Sequence, residues 1–264
     1  MKTELPIKLI STDFDGTLFA EFETPPVPEG LQRLIAELQV KGAKWAINTG
    51  RDMSSLMEAL GRAGLDIEPD YLVLVEREIY LHHESQYEAD HDWNEACAMN
   101  HALVFDKVRR DLEKLVGWIQ SRCKAHIYED AFSPLCLIAR DNGEMDQIHA
   151  FLESYCRSVP KLTVVRNDVY ARFSHEGYTK GTALQELTRR LGLTTADVFA
   201  VGDHLNDLPM LHPSVAKWLA APANAVEAVK LALKEHGGYV STRPHGHGVG
   251  EAIKYYLETG SSRG

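Results

Sequence analysis

Three polar clusters, each following an apolar run, hold the residues of this chain best suited to do chemistry. Asp13-Phe14-Asp15-Gly16-Thr17-Leu18 follows Ile7-Lys8-Leu9-Ile10, Asn48-Thr49-Gly50-Arg51 follows Trp45-Ala46-Ile47, and Gly202-Asp203-His204-Leu205-Asn206-Asp207 follows Val198-Phe199-Ala200-Val201. Asp13 and Asp15, two apart in extended chain, point to the same side while Phe14 points to the core. Two carboxylates facing one cleft suit acid–base work or a hard divalent cation. With Asp203 they make three oxygen donors, a set that fits Mg²⁺, which commonly keeps several waters beside a phosphate. Singly, each cluster has a plain structural use: Asp15-Gly16 makes a turn, and Thr49, Asp52 or Asp203 caps a helix. Their recurrence at three strand ends, from Asp13 to Asp207, points instead to one crevice.

The elements that must position these residues are legible around them. The three apolar runs, with Tyr71-Leu72-Val73-Leu74-Val75, read as strands of a parallel sheet buried on both faces, which need not alternate polar and apolar. Leu31, Leu34, Ile35 and Leu38 mark one face of a helix that Gly42 stops. Strand, helix and strand with short links imply right-handed crossovers and an α/β sheet, whose ligands bind outside the carboxyl ends of the strands. The rhythm resumes late, with helices marked by Leu184, Leu187 and Leu191, by Val226, Val229 and Leu233, and by Val249, Ile253, Tyr256 and Leu257.

From about residue 82 to 175 the order changes. Val104, Val108, Leu112, Leu115 and Ile119 outline one helix, followed by strand-like runs at 125–128 and 135–138. Met145, Ile148, Leu152 and Tyr155 outline another, followed by runs at 162–165 and 169–173. Two helix-strand-strand units in succession predict an inserted α+β domain.

Composition narrows the function. A chain of 264 residues allows one large domain and a smaller one. With 28 Lys and Arg against 38 Asp and Glu the net charge is −10, and no basic cluster is present, so no nucleic-acid partner is expected. No apolar run approaches the roughly 20 residues of a spanning helix, so no membrane partner is expected either. Cys97, Cys123, Cys136 and Cys156 form no CxxC pair and read as free thiols. The N-terminal residues lack an apolar signal core, and a cytoplasmic protein is expected.

The three clusters, together with Thr179-Lys180-Gly181, resemble in order and spacing the four signature motifs of the haloacid dehalogenase (HAD) superfamily of phosphohydrolases. The segment between Thr49 and Lys180 is similar to the type IIB cap of Cof-like sugar-phosphate phosphatases. Pro69-Asp70-Tyr71 through Ile79-Tyr80, the Trp93 region and Gly248-Val249-Gly250-Glu251-Ala252-Ile253 resemble the sucrose-phosphate-phosphatase-like branch.

The resemblance implies an α/β fold: a Rossmann-like HAD core with a parallel sheet, formed by 1–82 and 175–264, and an inserted α+β type IIB cap at 83–174. It implies a Mg²⁺-dependent phosphatase that acts on small-molecule phosphate esters, sugar phosphates foremost. Asp13 would be the nucleophile that forms an aspartyl-phosphate, and Asp15 would protonate the leaving alkoxide and then deprotonate water. Asp13, Asp15 through its backbone carbonyl, and Asp203 would hold Mg²⁺, with Asp207 orienting metal waters or Lys180. Thr49, the Gly50 amide, Lys180 and Asn206 would bind the phosphoryl oxygens. Arg51 would either touch substrate or stabilise its loop.

The chain departs from its relatives at Glu76-Arg77-Glu78, where a small glycine-containing turn is common. Arg77 would either read a second anionic group or pair with its Glu neighbours, and the pairing is favoured. Two further readings stay open: a phosphomutase of the same fold, and a phosphometabolite sensor without catalysis.

Other signals are assigned to structure. Pro244-His245-Gly246-His247-Gly248 reads as a turn before the last helix, and Gly246-His247-Gly248-Val249-Gly250 lacks the downstream strand and acid of a dinucleotide site. Trp93, Cys97, His101, His82, His83 and His126 read as packing residues.

Overall fold

The computed structural model describes residues 5–261, and the chain falls into two compact units. One runs to Asp90 and resumes at Lys180, and the other is His91–Thr179. These boundaries lie several residues beyond the 82 and 175 read from the sequence, the first because the hairpin after the Tyr71–Val75 run belongs to the first unit's sheet.

That unit opens with β1 (Leu9–Thr12), α1 (Glu29–Val40), β2 (Lys44–Asn48), α2 (Met53–Ala63) and β3 (Tyr71–Leu74). The hairpin of β4 (Glu78–His83) and β5 (Gln86–Ala89) follows. In the inserted unit, α3 (His91–Val108) and α4 (Leu112–Gln120) lead to β6 (Ala125–Tyr128) and β7 (Cys136–Ala139). Then come α5 (Asn142–Cys156), β8 (Leu162–Asn167) and β9 (Tyr170–His175). The chain returns through α6 (Lys180–Arg190), β10 (Val198–Val201), β11 (Trp218–Ala221), α7 (Glu227–Glu235), β12 (Tyr239–Val240) and α8 (His245–Ser261).

The first unit is built on an eight-stranded sheet in the order β12-β11-β10-β1-β2-β3-β4-β5. The strands from β12 to β3 pair in parallel, and β4 and β5 add an antiparallel edge. β1 and β10 are buried at every position, which explains their uninterrupted apolar or small residues. The core between sheet and helices joins Leu31, Ile35 and Leu38 of α1 to Ile10, Trp45, Ile47 and Phe199 of the strands and to Val249 and Ile253 of α8. Asp52 caps α2 by accepting the Ser55 N–H at 2.8 Å, as a helix N-terminus with orphan donors requires.

The inserted unit has its own antiparallel sheet, β6-β7-β9-β8, and its own core around Val104, Leu115, Ile148, Leu152 and Phe173. The single helix expected over Val104–Ile119 is two, and the break falls at Arg109–Asp111. Both halves keep the apolar register, with Val104 and Val108 on α3 and Leu115 and Ile119 on α4 buried. The Asp111 N–H turns back to Val108 O at 2.8 Å, which ends one helix before the next begins.

Candidate active site

The strand register sets the site. Thr12 stands opposite Val201 on one side and Ile47 on the other, so Asp13, Asn48 and Gly202-Asp203 leave the carboxyl ends of three adjacent parallel strands together. Asp13 continues the ladder by donating its N–H to Val201 O at 2.9 Å.

Lys180 joins the clusters. Its Nζ donates to Asp13 Oδ1 and to Asp207 Oδ1, both at 2.6 Å, and its side chain is fully buried. The backbone holding it is fixed as well, since Asn48 Nδ2 donates to Lys180 O at 3.0 Å. Gly181 lets α6 start here: a Cβ at that position would lie 2.1 Å from Pro209 O, so only glycine allows this approach to the segment carrying Asp207. The second Asp207 oxygen accepts the N–H groups of Asp203 and His204 at 2.8 and 2.9 Å. Asp207 is therefore committed to shaping its own loop and holding Lys180.

Carboxylate oxygens of Asp13, Asp203 and Asp207 lie within 4.8 Å of one another. Thr17 donates to Asp203 Oδ1 at 2.7 Å, tying the first cluster to the last. Burial and the neighbouring Asp207 push the Asp203 carboxyl up to about 6. Asp13 is raised well above the usual carboxylate range by burial and by Asp207 and Asp203, with Lys180 pulling the other way. Burial alone would depress the Lys180 ammonium, but Asp13, Asp207 and Glu76 outweigh it and hold the lysine protonated. Three carboxylates against one ammonium leave a surplus of negative charge. A hard cation relieves such crowding, so these oxygen donors fit Mg²⁺.

The Asp15 side chain stands apart from that group and is clasped by Arg51, whose Nε donates to Oδ2 at 2.8 Å and Nη2 to Oδ1 at 2.7 Å. Arg51 also covers the Phe14 ring. Thr49 sits at the end of β2, and its Oγ1 accepts the Arg51 N–H at 3.2 Å. Asn206, expected among the phosphate donors, gives its Nδ2 to Glu76 Oε1 at 3.0 Å. Arg77 is 4% exposed, and its N–H closes the turn on Leu74 O. Beside it, Glu76 Oε1 accepts from Asn206 Nδ2 and Glu78 Oε2 accepts the Tyr80 hydroxyl proton.

Asn48, Thr17 and Glu76 appear in the sequence reading without a role of their own. Asn48 was visible as a polar residue ending an apolar run, the same signal that exposes Asp13. Glu76 enters the sequence reading only as a neighbour of Arg77, although a carboxylate two residues beyond a parallel strand carries that signal too.

Residues 76–253 match the haloacid dehalogenase-like hydrolase family, and the chain belongs to it. A phosphoglycolate phosphatase of Methanothrix thermoacetophila is 32% identical over 117 residues, which cover 44% of this chain and 49% of that one. Matches to such phosphoglycolate phosphatases thus span about half of their length or less. A 5-amino-6-(5-phospho-D-ribitylamino)uracil phosphatase of Bacillus subtilis is 26% identical and aligns over 97% of this chain and 98% of its own. Among solved structures, the sucrose-phosphatase of Synechocystis in complex with sucrose and phosphate superposes with a TM-score of 0.72 at 18% identity, covering 96% of this chain and 98% of that one. This last likeness is one of fold.

Proposed function

We propose that the protein is a Mg²⁺-dependent phosphomonoester hydrolase of small phosphorylated metabolites, sugar phosphates foremost, working through an aspartyl-phosphate. The observation that carries this reading is Lys180, which holds Asp13 and Asp207 at 2.6 Å each beside Asp203 at the carboxyl ends of parallel strands. Phosphatases among the relatives support the same chemistry. We also place the enzyme in the cytoplasm, a setting that suits four cysteines that form no disulfide among the described residues.

Asp13 attacks phosphorus in line, forming a P–O bond as the bond to the leaving alkoxide breaks. Lys180 fixes one Asp13 oxygen and leaves the other to react. Asp15, placed by Arg51, gives a proton to the alkoxide, then takes one from the water that hydrolyses the acyl phosphate. Lys180, Thr49 and the Gly50 amide stabilise charge on the equatorial oxygens. Asp13, Asp203 and the Asp15 carbonyl would hold Mg²⁺, which supplies positive charge that lets a carboxylate approach an anionic phosphoryl group.

The test is phosphate release from a panel of sugar phosphates, nucleotides and an aryl phosphate, with Mg²⁺, with chelator, and with Asp13→Asn. Release that requires both Mg²⁺ and Asp13 supports the hydrolase. Full release by a folded Asp13→Asn protein refutes the nucleophile, and an isomerised sugar phosphate without free phosphate identifies a mutase instead.

A further inference from the structure

Glu76 occupies a backbone conformation that acidic residues seldom adopt. Its φ is +68°, in the left-handed region where a Cβ meets the backbone, and Val75 before it has φ +45°. Glycine would take this turn without strain. The turn is tied to the loop after β2, because Val75 donates its N–H to Arg51 O and Glu76 to Thr49 O, each at 2.9 Å. The Glu76 side chain is thereby delivered, 7% exposed, to the wall formed by Gly50 and Asn206. Its Oε1 lies 3.4 Å from where a Cβ on Gly50 would stand, and its charge acts on Lys180.

A buried anion beside residues that would bind phosphate is costly unless it does something there. Its partner shows what. Asn206 is itself buried, with Nδ2 on Glu76 at 3.0 Å and with Oδ1 enclosed and lacking a hydrogen-bond partner. A carboxamide can present either its oxygen or its nitrogen to a given side, and only the nitrogen donates. A carboxylate only accepts, so Glu76 decides which end faces Gly50.

We propose that Glu76 is a positioning residue: it fixes the Asn206 carboxamide with nitrogen toward the Gly50 side, so that the second N–H is presented to a phosphoryl oxygen. The unpartnered Oδ1 is the cost of that orientation. Turned the other way, the same amide would set its oxygen against the anion. The proposal rests on the phosphohydrolase reading above and adds a residue outside the expected set.

The experiment compares wild type, Glu76→Gly, Glu76→Gln, Asn206→Ala and the Glu76→Gly/Asn206→Ala double variant. Each is assayed with an aryl phosphate and Mg²⁺, with inorganic phosphate as competitive inhibitor, and by thermal unfolding. Glycine removes the side chain and suits the backbone, so the variant folds. Expected are a Tm equal to or above wild type together with a fall in kcat/KM of about 10- to 100-fold and weaker inhibition by phosphate. Glutamine, which still offers an acceptor, restores most of the loss, and the double variant is no worse than either single one. Full activity of Glu76→Gly, or multiplicative losses in the double variant, overturns the proposal. Should wild type release no phosphate, the hydrolase reading fails by itself, and calorimetric binding of inorganic phosphate decides about Glu76. Binding lost in Glu76→Gly and kept in Glu76→Gln supports the positioning role, while equal binding by all, or none by wild type, overturns it.

Discussion

Arg51 grips both oxygens of Asp15, at 2.8 and 2.7 Å, in a bidentate contact that only a guanidinium makes. The same side chain reaches Ser55 at the start of α2, with Nη1 3.0 Å from its Oγ. Asp15 is thus indexed to a helix rather than left to swing from its own turn.

Arg51→Lys keeps the charge and loses the fork. We expect kcat to fall about 10- to 100-fold with little change in Tm, because the carboxylate proposed for acid–base work is misplaced while the fold is kept. Steady-state kinetics beside a melting curve would check this, and an unchanged kcat would remove Arg51 from the arrangement of the site.

Asp203 predicts how stability and metal affinity depend on pH. Its carboxyl is raised from 3.8 to about 6 by burial and by Asp207. A carboxyl raised on folding favours the protonated form, so its contribution is fully present below about 4 and is lost as pH rises through about 6. The metal-free protein should therefore lose on the order of a few kcal/mol over that interval from this group. Mg²⁺ binds the ionised form, so its stabilising effect runs the opposite way. Thermal melts at pH 5 and 7.5, with Mg²⁺ and with chelator, should show a much larger Mg²⁺-induced rise at pH 7.5, and equal rises at both would refute this.

Gly181→Ala tests the close approach that brings Lys180 to Asp207. A Cβ there would lie 2.1 Å from Pro209 O and 2.6 Å from its carbon, contacts that force α6 or the Asp207 loop to move. The expected cost is about 1 to 3 kcal/mol. The activity of the folded fraction should fall far more than the shift in unfolding midpoint would suggest. A variant with wild-type kinetics would show that the lysine's position tolerates that movement.

The Gly16 carbonyl accepts two donors, Asn224 Nδ2 and His245 Nδ1, each at 2.8 Å, and His245 N–H returns to Asn224 Oδ1 at 2.8 Å. His245, read from sequence as part of a turn before the last helix, is instead the first residue of α8, and it clamps the loop between Asp15 and Thr17. Asn224→Ala should cost roughly 1 kcal/mol of stability from lost hydrogen bonding, seen as a modest fall in Tm, and lower kcat more than it raises KM. A change in KM alone would assign Asn224 to substrate binding instead.

What the sequence revealed and what it hid follow from the range of the interactions. Val198–Val201 is apolar throughout because both faces are covered, and the polar residues beyond such runs stand out against it. The hairpin of β4 and β5 lies at an edge: it buries Ile79, but its other residues are exposed or half-buried, and His82, His83 and Glu88 along it blur the short run Ile79-Tyr80-Leu81. The periodicity from Val104 to Ile119 passes unbroken through Arg109–Asp111 because both helices bury the same face. Glu76 was hardest to read. Arg77 beside it draws attention to a local ion pair, whereas the hydrogen bond from Asn206 reaches it from 130 residues along the chain.

The pairing of β1 with β10 carries a consequence for synthesis. Residues His91–Thr179 form a compact unit that is continuous in sequence, with all of its strands inside that stretch. The other unit is split, and its central strand gains one neighbour only after Val201 has emerged. On a ribosome, the inserted unit can close its core while Asp13 still waits for Lys180, Asp203 and Asp207. The acidic site is therefore among the last parts of the molecule to be assembled, and a chain truncated before Val201 should hold a folded insert attached to an unfinished sheet.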